Sequence, residues 1–303
     1  PPTHDRQRGR GDVATDPEPH GVVVSDPACA LASLEANEPL AGTAVESVDQ
    51  WVLLEVTEVW APKVLDTEAL PELARQRLRE WNEAPRTRVQ LIRRPGRSGK
   101  RPLLMRVERG QVAQVELERL EDLAELRLDA LTPEPTEPIV LVCVHGRRDR
   151  CCAQHGSAVY RSLQSRIGEV WQTSHLGGHR FAACVLSLPD GLMYGRMRAE
   201  HADAFVAAVR AGEVDALDRF RGRCAYDRPT QAAEIFLRKR SEELGVDALE
   251  WLGTDADGDR AWTARFRTPT GEARVSVGLD DLGVSSPASC GAEPEPLTRF
   301  IEL

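Results

Sequence analysis

The sequence predicts a mixed α/β (α+β) fold made of two β-α-β-β-α halves and a small α+β C-terminal extension. Apolar runs rich in Val, Ile and Leu, such as WVLLEVTEVW at 51–60 and PIVLVCV at 138–144, are typical of buried strands. Stretches with apolar residues three and four apart follow these runs, as in amphipathic helices. The same order of elements occurs on both sides of TPEPTEP at 132–138, whose composition is typical of a linker.

The first half begins with the strand at 51–60 and continues with a helix predicted at 66–84, which Asp66 or Thr67 is expected to cap. Two more strands, TRVQLIRR and RPLLMRVERG, flank the turn-rich PGRSGK. A second helix is predicted at 117–131, where leucines recur in LERLEDLAELRLDAL. These elements complete the first β-α-β-β-α unit.

The second half has the strand IVLVCVHG, a helix at 153–168, the strand EVWQTS and a hairpin that turns at Pro189-Asp190-Gly191. A helix at 199–212 follows, and Gly212 is expected to end it. The repeated order suggests an ancient duplication as a hypothesis. A further helix and a β-hairpin around DADGDR are predicted for the tail.

These predictions divide the chain into five consecutive segments. They are a disordered lead-in at 1–26, an N-terminal domain at 27–131, a linker at 132–138, a Cys- and His-rich domain at 139–226 and a C-terminal extension at 227–303.

The composition excludes several classes of protein. A net charge of -9 over 303 residues disfavours nucleic acid as the main partner. No apolar run approaches the roughly 18 residues of a membrane span. The N-terminal residues show no apolar core of a signal peptide, and the number of cysteines is odd, at seven. We therefore expect a cytoplasmic protein with reduced thiols and no secreted disulfide framework.

The cysteines and histidines predict metal or redox chemistry, because three of the seven cysteines fall within 143–152. Thiolate and imidazole ligands suit a zinc ion or a [2Fe-2S] cluster. Two ligand sets compete at this point. One is local and pairs Cys143-x-His145 with Cys152-x-x-His155. The other combines Cys143 and Cys152 with the two histidines of SHLGGHRF, His175 and His179.

Residues around these ligands have roles in the same site. Gly177 and Gly178 are expected to let the backbone turn tightly and approach a bound cofactor closely. Arg147 and Arg148 lie between the cysteine ligands and are expected either to steady an anionic cluster or to dock an acidic redox partner. The alternative is that Arg148 only pairs with Asp149 within the loop. The remaining thiols are expected to be isolated buried side chains without a metal-site partner: Cys29, Cys184, Cys224 and Cys290.

Three stretches of the second half resemble the sucrase/ferredoxin-like family: CVHGRRDRCC, HLGGHRFAACVLSLPDGLMYGR and RGRCAYDRPTQAAE. CALASLEANEPLAGTA and WVLLEVTEVW in the first half resemble it less specifically. The resemblance implies two thioredoxin-like halves, of which the second is a [2Fe-2S] ferredoxin domain. It also implies that Cys143 and Cys152 bind the cluster together with two histidines, His175 and His179. The family spacing of eight residues between the cysteines favours Cys152, with Cys151 as the alternative.

The function implied is electron transfer between a reductase and an acceptor protein, with no sucrase activity and with a redox carrier expected rather than an enzyme. Two neutral imidazoles in place of thiolates raise the potential, by up to a few hundred mV if Rieske centres are a guide. Imidazole also binds protons near neutral pH, so electron transfer is expected to be coupled to proton transfer. The alternatives are a zinc-stabilised Cys2His2 interaction module and a thiol-disulfide oxidoreductase that uses Cys143 with Cys151 or Cys152.

Overall fold

The computed structural model describes residues 28–97, 99–108, 110–134 and 137–303. The predicted lead-in at 1–26 lies outside the described residues, as do two residues of the predicted linker. No helix in the described ranges is both long enough and apolar enough to cross a bilayer. The mixed α/β class is confirmed: the described chain has two sheets and five α-helices. The domain boundaries remain predictions.

The larger sheet has nine strands. They are β1 (Gln50–Glu55), β2 (Thr87–Arg93), β3 (Leu103–Glu108), β4 (Gln111–Glu116), β5 (Ile139–Cys143), β6 (Val170–Thr173), β7 (Val185–Leu188), β8 (Leu192–Tyr194) and β9 (Phe220–Arg223). Their order across the sheet is β4-β3-β1-β2-β6-β5-β7-β8-β9.

The two halves repeat one strand order within this sheet. In each half the first two strands are parallel, and the third strand pairs antiparallel with the first. The fourth strand then pairs antiparallel with the third. The halves meet where β2 and β6 run antiparallel, with Ile92 opposite Thr173. A duplication would produce this repetition, and both copies contribute to one continuous sheet.

The α-helices pack around this sheet. They are α1 (Cys29–Glu35), α2 (Glu72–Glu83), α3 (Arg150–Gln164), α4 (Ala202–Ala211) and α5 (Arg228–Ser241). Helices α2 and α3 are the crossovers between the parallel strands, as in βαβ units. Gly212 ends α4 in the left-handed conformation, as predicted. Helix α2 begins later than predicted, because residues 64–66 form a separate 3-10 turn and Pro71 precedes the first turn.

The prediction of an α-helix at 117–131 is wrong. A strand that was not predicted, β4, precedes this segment. Residues Leu120–Ala124 and Leu128–Ala130 form two short 3-10 helices instead. The leucines at 117, 120, 123 and 126 are spaced by three residues. That spacing aligns side chains on one face of a 3-10 helix, whereas an α-helix needs alternating steps of three and four. The segment lies against α2, where Arg77 donates a hydrogen bond to the carbonyl of Ala124 at 2.7 Å.

Both faces of the large sheet are buried, which explains the continuous apolar run of β5. Val140 and Val142 face a core that includes residues of α2 and α3. Ile139, Leu141 and Cys143 face a second core on the opposite side. The thiol at the end of β5 therefore points into this second core, which also contains Cys152 from the start of α3.

The C-terminal extension is larger than the predicted hairpin. It pairs α5 with an antiparallel sheet of four strands in sequential order, β10 (Glu250–Ala256), β11 (Ala261–Thr268), β12 (Gly271–Pro287) and β13 (Pro294–Glu302). The predicted turn around Gly258 joins β10 to β11. Ala233 and Leu237 of α5 pack against Val275 and Phe300 of this sheet. The segment between β12 and β13 carries Cys290.

Candidate metal centre

The four predicted ligand residues lie at the carboxyl ends of the neighbouring parallel strands β5 and β6. Cys143 is the last residue of β5, and Cys152 lies in the first turn of α3. His175 follows β6, and His179 begins a 3-10 helix. Loops at the carboxyl ends of parallel strands commonly form the sites of open α/β sheets.

Three of the four residues converge directly. One ligand atom from each of Cys143, Cys152 and His175 lies within 4.8 Å of the other two. The Sγ of Cys152 is 3.8 Å from Nδ1 of His175. His179 adjoins this group through its ring, which stacks on that of His175 with centroids 4.5 Å apart and planes 21° apart. The arrangement thus brings two thiols and two imidazoles into one contiguous set.

Three members of the set are buried, His175 is half-buried, and the two thiols differ in pKa. Cys143 and Cys152 are 1% and 2% exposed. Hydrogen bonds from the Cys152 thiol and then from His175 hold the pKa of Cys143 well below its usual value. The hydrogen bond with Cys143, together with burial, raises the pKa of Cys152 well above its usual value. Burial, with the neighbouring His175, lowers the pKa of His179 to about 4. At neutral pH the site therefore offers a thiolate and a neutral imidazole, the protonation states in which these groups bind metals.

A ring nitrogen of His179 that lacks a hydrogen-bond partner in the described chain supports the binding of a metal ion or cluster at this site. Nδ1 of His179 is buried and has no hydrogen-bond partner among the described residues. Oδ2 of the Asp149 carboxylate lies 4.0 Å from this nitrogen, beyond hydrogen-bond distance. Leaving a buried polar atom unpaired costs about 1–3 kcal/mol, which a bond to a metal would offset. Two sulfur and two nitrogen donors suit zinc or an iron–sulfur cluster.

The local alternative set is not assembled. The ring of His145 lies edge-on to Trp60, with centroids 5.8 Å apart, and it is absent from the converging group. His155 lies within α3, beyond the first turn, and is also absent from that group. Cys151 belongs to a different group of potential ligands.

A buried arginine, Arg221, braces the loop that carries both histidines. Its Nη1 donates to the carbonyl of Gly177 at 3.0 Å, and its Nε donates to Oγ1 of Thr43 at 3.1 Å. It also donates a hydrogen bond to the carbonyl of Thr43 and lies 3.4 Å from Sγ of Cys184. Sequence reasoning missed this role, although Arg221 lies in RGRCAYDRPTQAAE, one of the stretches that resemble the family.

Gly177 and Gly178 have φ angles of 99° and 70°, in the region that favours glycine. A Cβ on Gly178 would lie 2.5 Å from Nη2 of Arg221 and 2.9 Å from Phe181. The close approach seen here is therefore to a protein side chain. The predicted role of the two glycines in holding a cofactor remains a prediction.

Arg147 and Arg148 are both exposed but face different surfaces. Arg148 lines a cavity of about 590 Å³ together with His145 and His175. Arg147 lines a separate cavity beside Ala61. No ion pair within the described ranges joins Arg148 to Asp149, so the alternative of a pairing within the loop is wrong.

The expectation that Cys29 and Cys290 are isolated thiols is wrong. The structure gathers both around Cys151 and Asp149, with the ligand atoms of all four residues within 4.8 Å of one another. No spacing in the sequence signals this group, because 261 residues separate the two outer cysteines. Cys184 and Cys224 are buried in the core, as predicted.

Comparison with known proteins identifies the family of the chain. Residues 40–222 match the family model described as sucrase/ferredoxin-like. The chain belongs to this family. Both cysteines and both histidines of the candidate centre, together with Arg221, fall within the matched residues.

Two individual proteins show more limited similarity. Altered inheritance of mitochondria protein 32 of Meyerozyma guilliermondii is 25% identical over 118 residues. The match covers 35% of this chain and 42% of that protein, so it spans less than half of the relative's length. A crystal structure of a variant of the thioredoxin-like [2Fe-2S] ferredoxin from Aquifex aeolicus is 19% identical, with a TM-score of 0.26. That match covers 28% of this chain and 99% of the ferredoxin.

Proposed function

We propose that this protein is a one-electron carrier that binds a [2Fe-2S] cluster through Cys143, Cys152, His175 and His179. The observation that carries the proposal is the convergence of two buried thiols on a pair of stacked imidazoles at the ends of β5 and β6. Membership in the sucrase/ferredoxin-like family supports the same cofactor. When bound, the cluster supplies single-electron chemistry at a potential above that of an all-cysteine ferredoxin.

The protein's own residues hold and insulate this site. Arg221 fixes the loop between the histidines through the carbonyl of Gly177. His175 turns Nδ1 toward the Cys152 thiol, at 3.8 Å. Coupling of electron transfer to proton transfer belongs to this proposal, and it predicts a midpoint potential that falls as pH rises from about 6 to 9. A constant potential over that range would count against the coupling.

The cavity beside His175 is the proposed docking site for a redox partner. Lys63, Arg88 and Arg148 line it and give it positive charge, and Glu46 is the one acidic residue among its lining side chains. Complementary charge accelerates the encounter of redox proteins and sets their orientation. We therefore propose an acidic partner protein, in a cytoplasmic setting and without a substrate of this chain's own.

The two alternatives make different predictions about the same thiols. A zinc-stabilised module would use the same four ligands without colour or redox activity. A thiol oxidoreductase would need an accessible nucleophile, whereas Cys143 is 1% exposed. The low pKa of Cys143 beside Cys152 is the observation that favours the thiol alternative.

The test is metal analysis of anaerobically purified full-length protein with matched histidine variants. We expect about two irons and two acid-labile sulfides in the cluster of each chain. His179→Ala is expected to lose most of this iron, and the control His155→Ala is expected to keep it. A colourless protein whose only metal is zinc would refute the electron-transfer function. Rapid alkylation of Cys143 in the untreated protein would favour the thiol alternative.

A further inference from the structure

The second group of thiols combines residues from three distant parts of the chain. Cys29 opens α1, Cys151 lies at the start of α3, and Cys290 belongs to the segment between β12 and β13. Asp149, the residue that precedes α3, completes the group. We call these four residues the Cys29 cluster. Cys29, Cys151 and Asp149 are buried, and Cys290 is half-buried.

The distances within the Cys29 cluster are those of a single tetrahedral metal site. The Sγ of Cys29 is 3.7 Å from those of Cys151 and Cys290, and the last two are 3.5 Å apart. Around a zinc ion with Zn–S bonds of about 2.3 Å, the sulfur atoms of a regular tetrahedron are about 3.8 Å apart. Three free thiols in a near-equilateral triangle of this size present one face of such a tetrahedron.

The carboxylate of Asp149 supplies the fourth corner. Its oxygens lie 3.8 Å from Sγ of Cys29, and Oδ1 lies 3.4 Å from Sγ of Cys290. A regular site with Zn–O of about 2.0 Å places oxygen and sulfur about 3.5 Å apart. The backbone N–H groups of Cys151 and Cys290 donate to the two oxygens at 2.8 and 2.9 Å, which fixes the orientation of the carboxylate.

We propose that the Cys29 cluster is a second, mononuclear metal site that binds zinc through three thiolates and one carboxylate. Thiolates select soft ions, and the tetrahedral set of sulfur and oxygen suits zinc better than the larger oxygen shells of calcium or magnesium. Binding replaces the thiol protons, which are released to solvent, and no electron is transferred. Arg150 hydrogen-bonds to Cys290 and offsets part of the negative charge of the site.

The proposed zinc site connects the C-terminal extension to the candidate metal centre. Its ligands link α1 and the segment before β13 to the start of α3, where Cys152 follows Cys151 directly. Asp149 lies between the two centres, since its Oδ2 is also 4.0 Å from Nδ1 of His179. A structural metal here fixes the loop between Cys143 and Cys152. The proposal depends on the Cys29 cluster alone and holds whether the first centre binds iron or not.

The test compares the metal content of full-length variants purified without added metal. We expect about one zinc per chain in the wild-type protein, in addition to any iron. Cys290→Ala should lose this zinc, whereas the control Cys224→Ala, which changes a buried thiol outside both centres, should keep it. Cys143→Ser should lose the iron and keep the zinc, which separates failure of this proposal from failure of the first.

Cobalt binding provides a measurement that does not depend on the folding of a variant. Wild-type protein in which Co²⁺ replaces zinc should show the visible bands of a tetrahedral ion and the charge-transfer absorption of thiolate ligands. Zinc that remains in Cys290→Ala, or that is lost equally from Cys224→Ala, would overturn the proposal. Absence of both zinc and Co²⁺ uptake in the wild-type protein would also overturn it, as would a disulfide between two of the three cysteines.

Discussion

The loop that carries both candidate histidines depends on the absence of a side chain at Gly178. Alanine at this position must adopt a φ near 70°, which costs about 1–2 kcal/mol for a residue with a Cβ. The added Cβ would also lie 2.5 Å from the Arg221 guanidinium, which is fixed by its own hydrogen bonds. Overpacking of a rigid site typically costs about 1–3 kcal/mol more. Gly178→Ala is therefore expected to destabilise the protein by about 2–5 kcal/mol.

Gly212→Ala provides the matched control. Gly212 has nearly the same φ, 68°, at the end of α4, but no atom lies within 4 Å of its added Cβ. It should lose only the backbone contribution, about 1–2 kcal/mol. Urea unfolding followed by tryptophan fluorescence measures both variants, and iron analysis reports on the loop. Equal destabilisation of the two variants, or full iron content in Gly178→Ala, would refute the argument that Arg221 shapes this loop.

Three further predictions follow from the same contacts. Arg221→Met removes the donor to the half-buried carbonyls of Gly177 and Thr43 and should destabilise the protein by about 1–3 kcal/mol in urea, against less than about 0.5 kcal/mol for the exposed Arg127→Met; equal values would contradict the role of Arg221 in holding this loop. His145→Phe should keep the iron content of the wild-type protein, because the ring lies outside the converging group; iron loss would return His145 to the ligand set. Burial raises the pKa of every tyrosine, to about 12 for Tyr226, so native absorbance at 295 nm should titrate at higher pH than that of the unfolded chain, whose tyrosine pKa is about 10, and stability should fall as pH rises above that value; a native titration that coincides with the unfolded one would be contrary evidence. The tyrosines are Tyr160, Tyr194 and Tyr226.

The parts of the fold that could be predicted from the sequence are those that depend on local chemistry. The apolar run of β5 and the Gly212 terminus of α4 depend on neighbouring residues, and both predictions were confirmed. The prediction of an α-helix at 117–131 was wrong because leucines three residues apart match the period of a 3-10 helix and not that of an α-helix. The single nine-stranded sheet depends on the β2–β6 pairing, which no local pattern specifies.

The two groups of potential metal ligands also differ in how far the sequence predicts them. The four residues of the candidate centre could be predicted because they occur in two short motifs at the ends of consecutive strands, and the structure brings three of them together. The Cys29 cluster was missed because its residues come from α1, α3 and the C-terminal extension. Their proximity is a result of the tertiary fold, so each cysteine alone had the pattern of a buried apolar side chain.

Pulsed EPR of the reduced full-length protein tests the central claim most directly. After anaerobic purification and reduction by dithionite, the account predicts an S = 1/2 signal with hyperfine couplings to imidazole nitrogens. Incorporation of ¹⁵N-histidine should change these couplings, and His179→Cys should remove one set of them while His155→Ala leaves both. A signal without nitrogen coupling would contradict the histidine ligation. The absence of any signal, in a colourless protein that contains only zinc, would contradict the cluster itself.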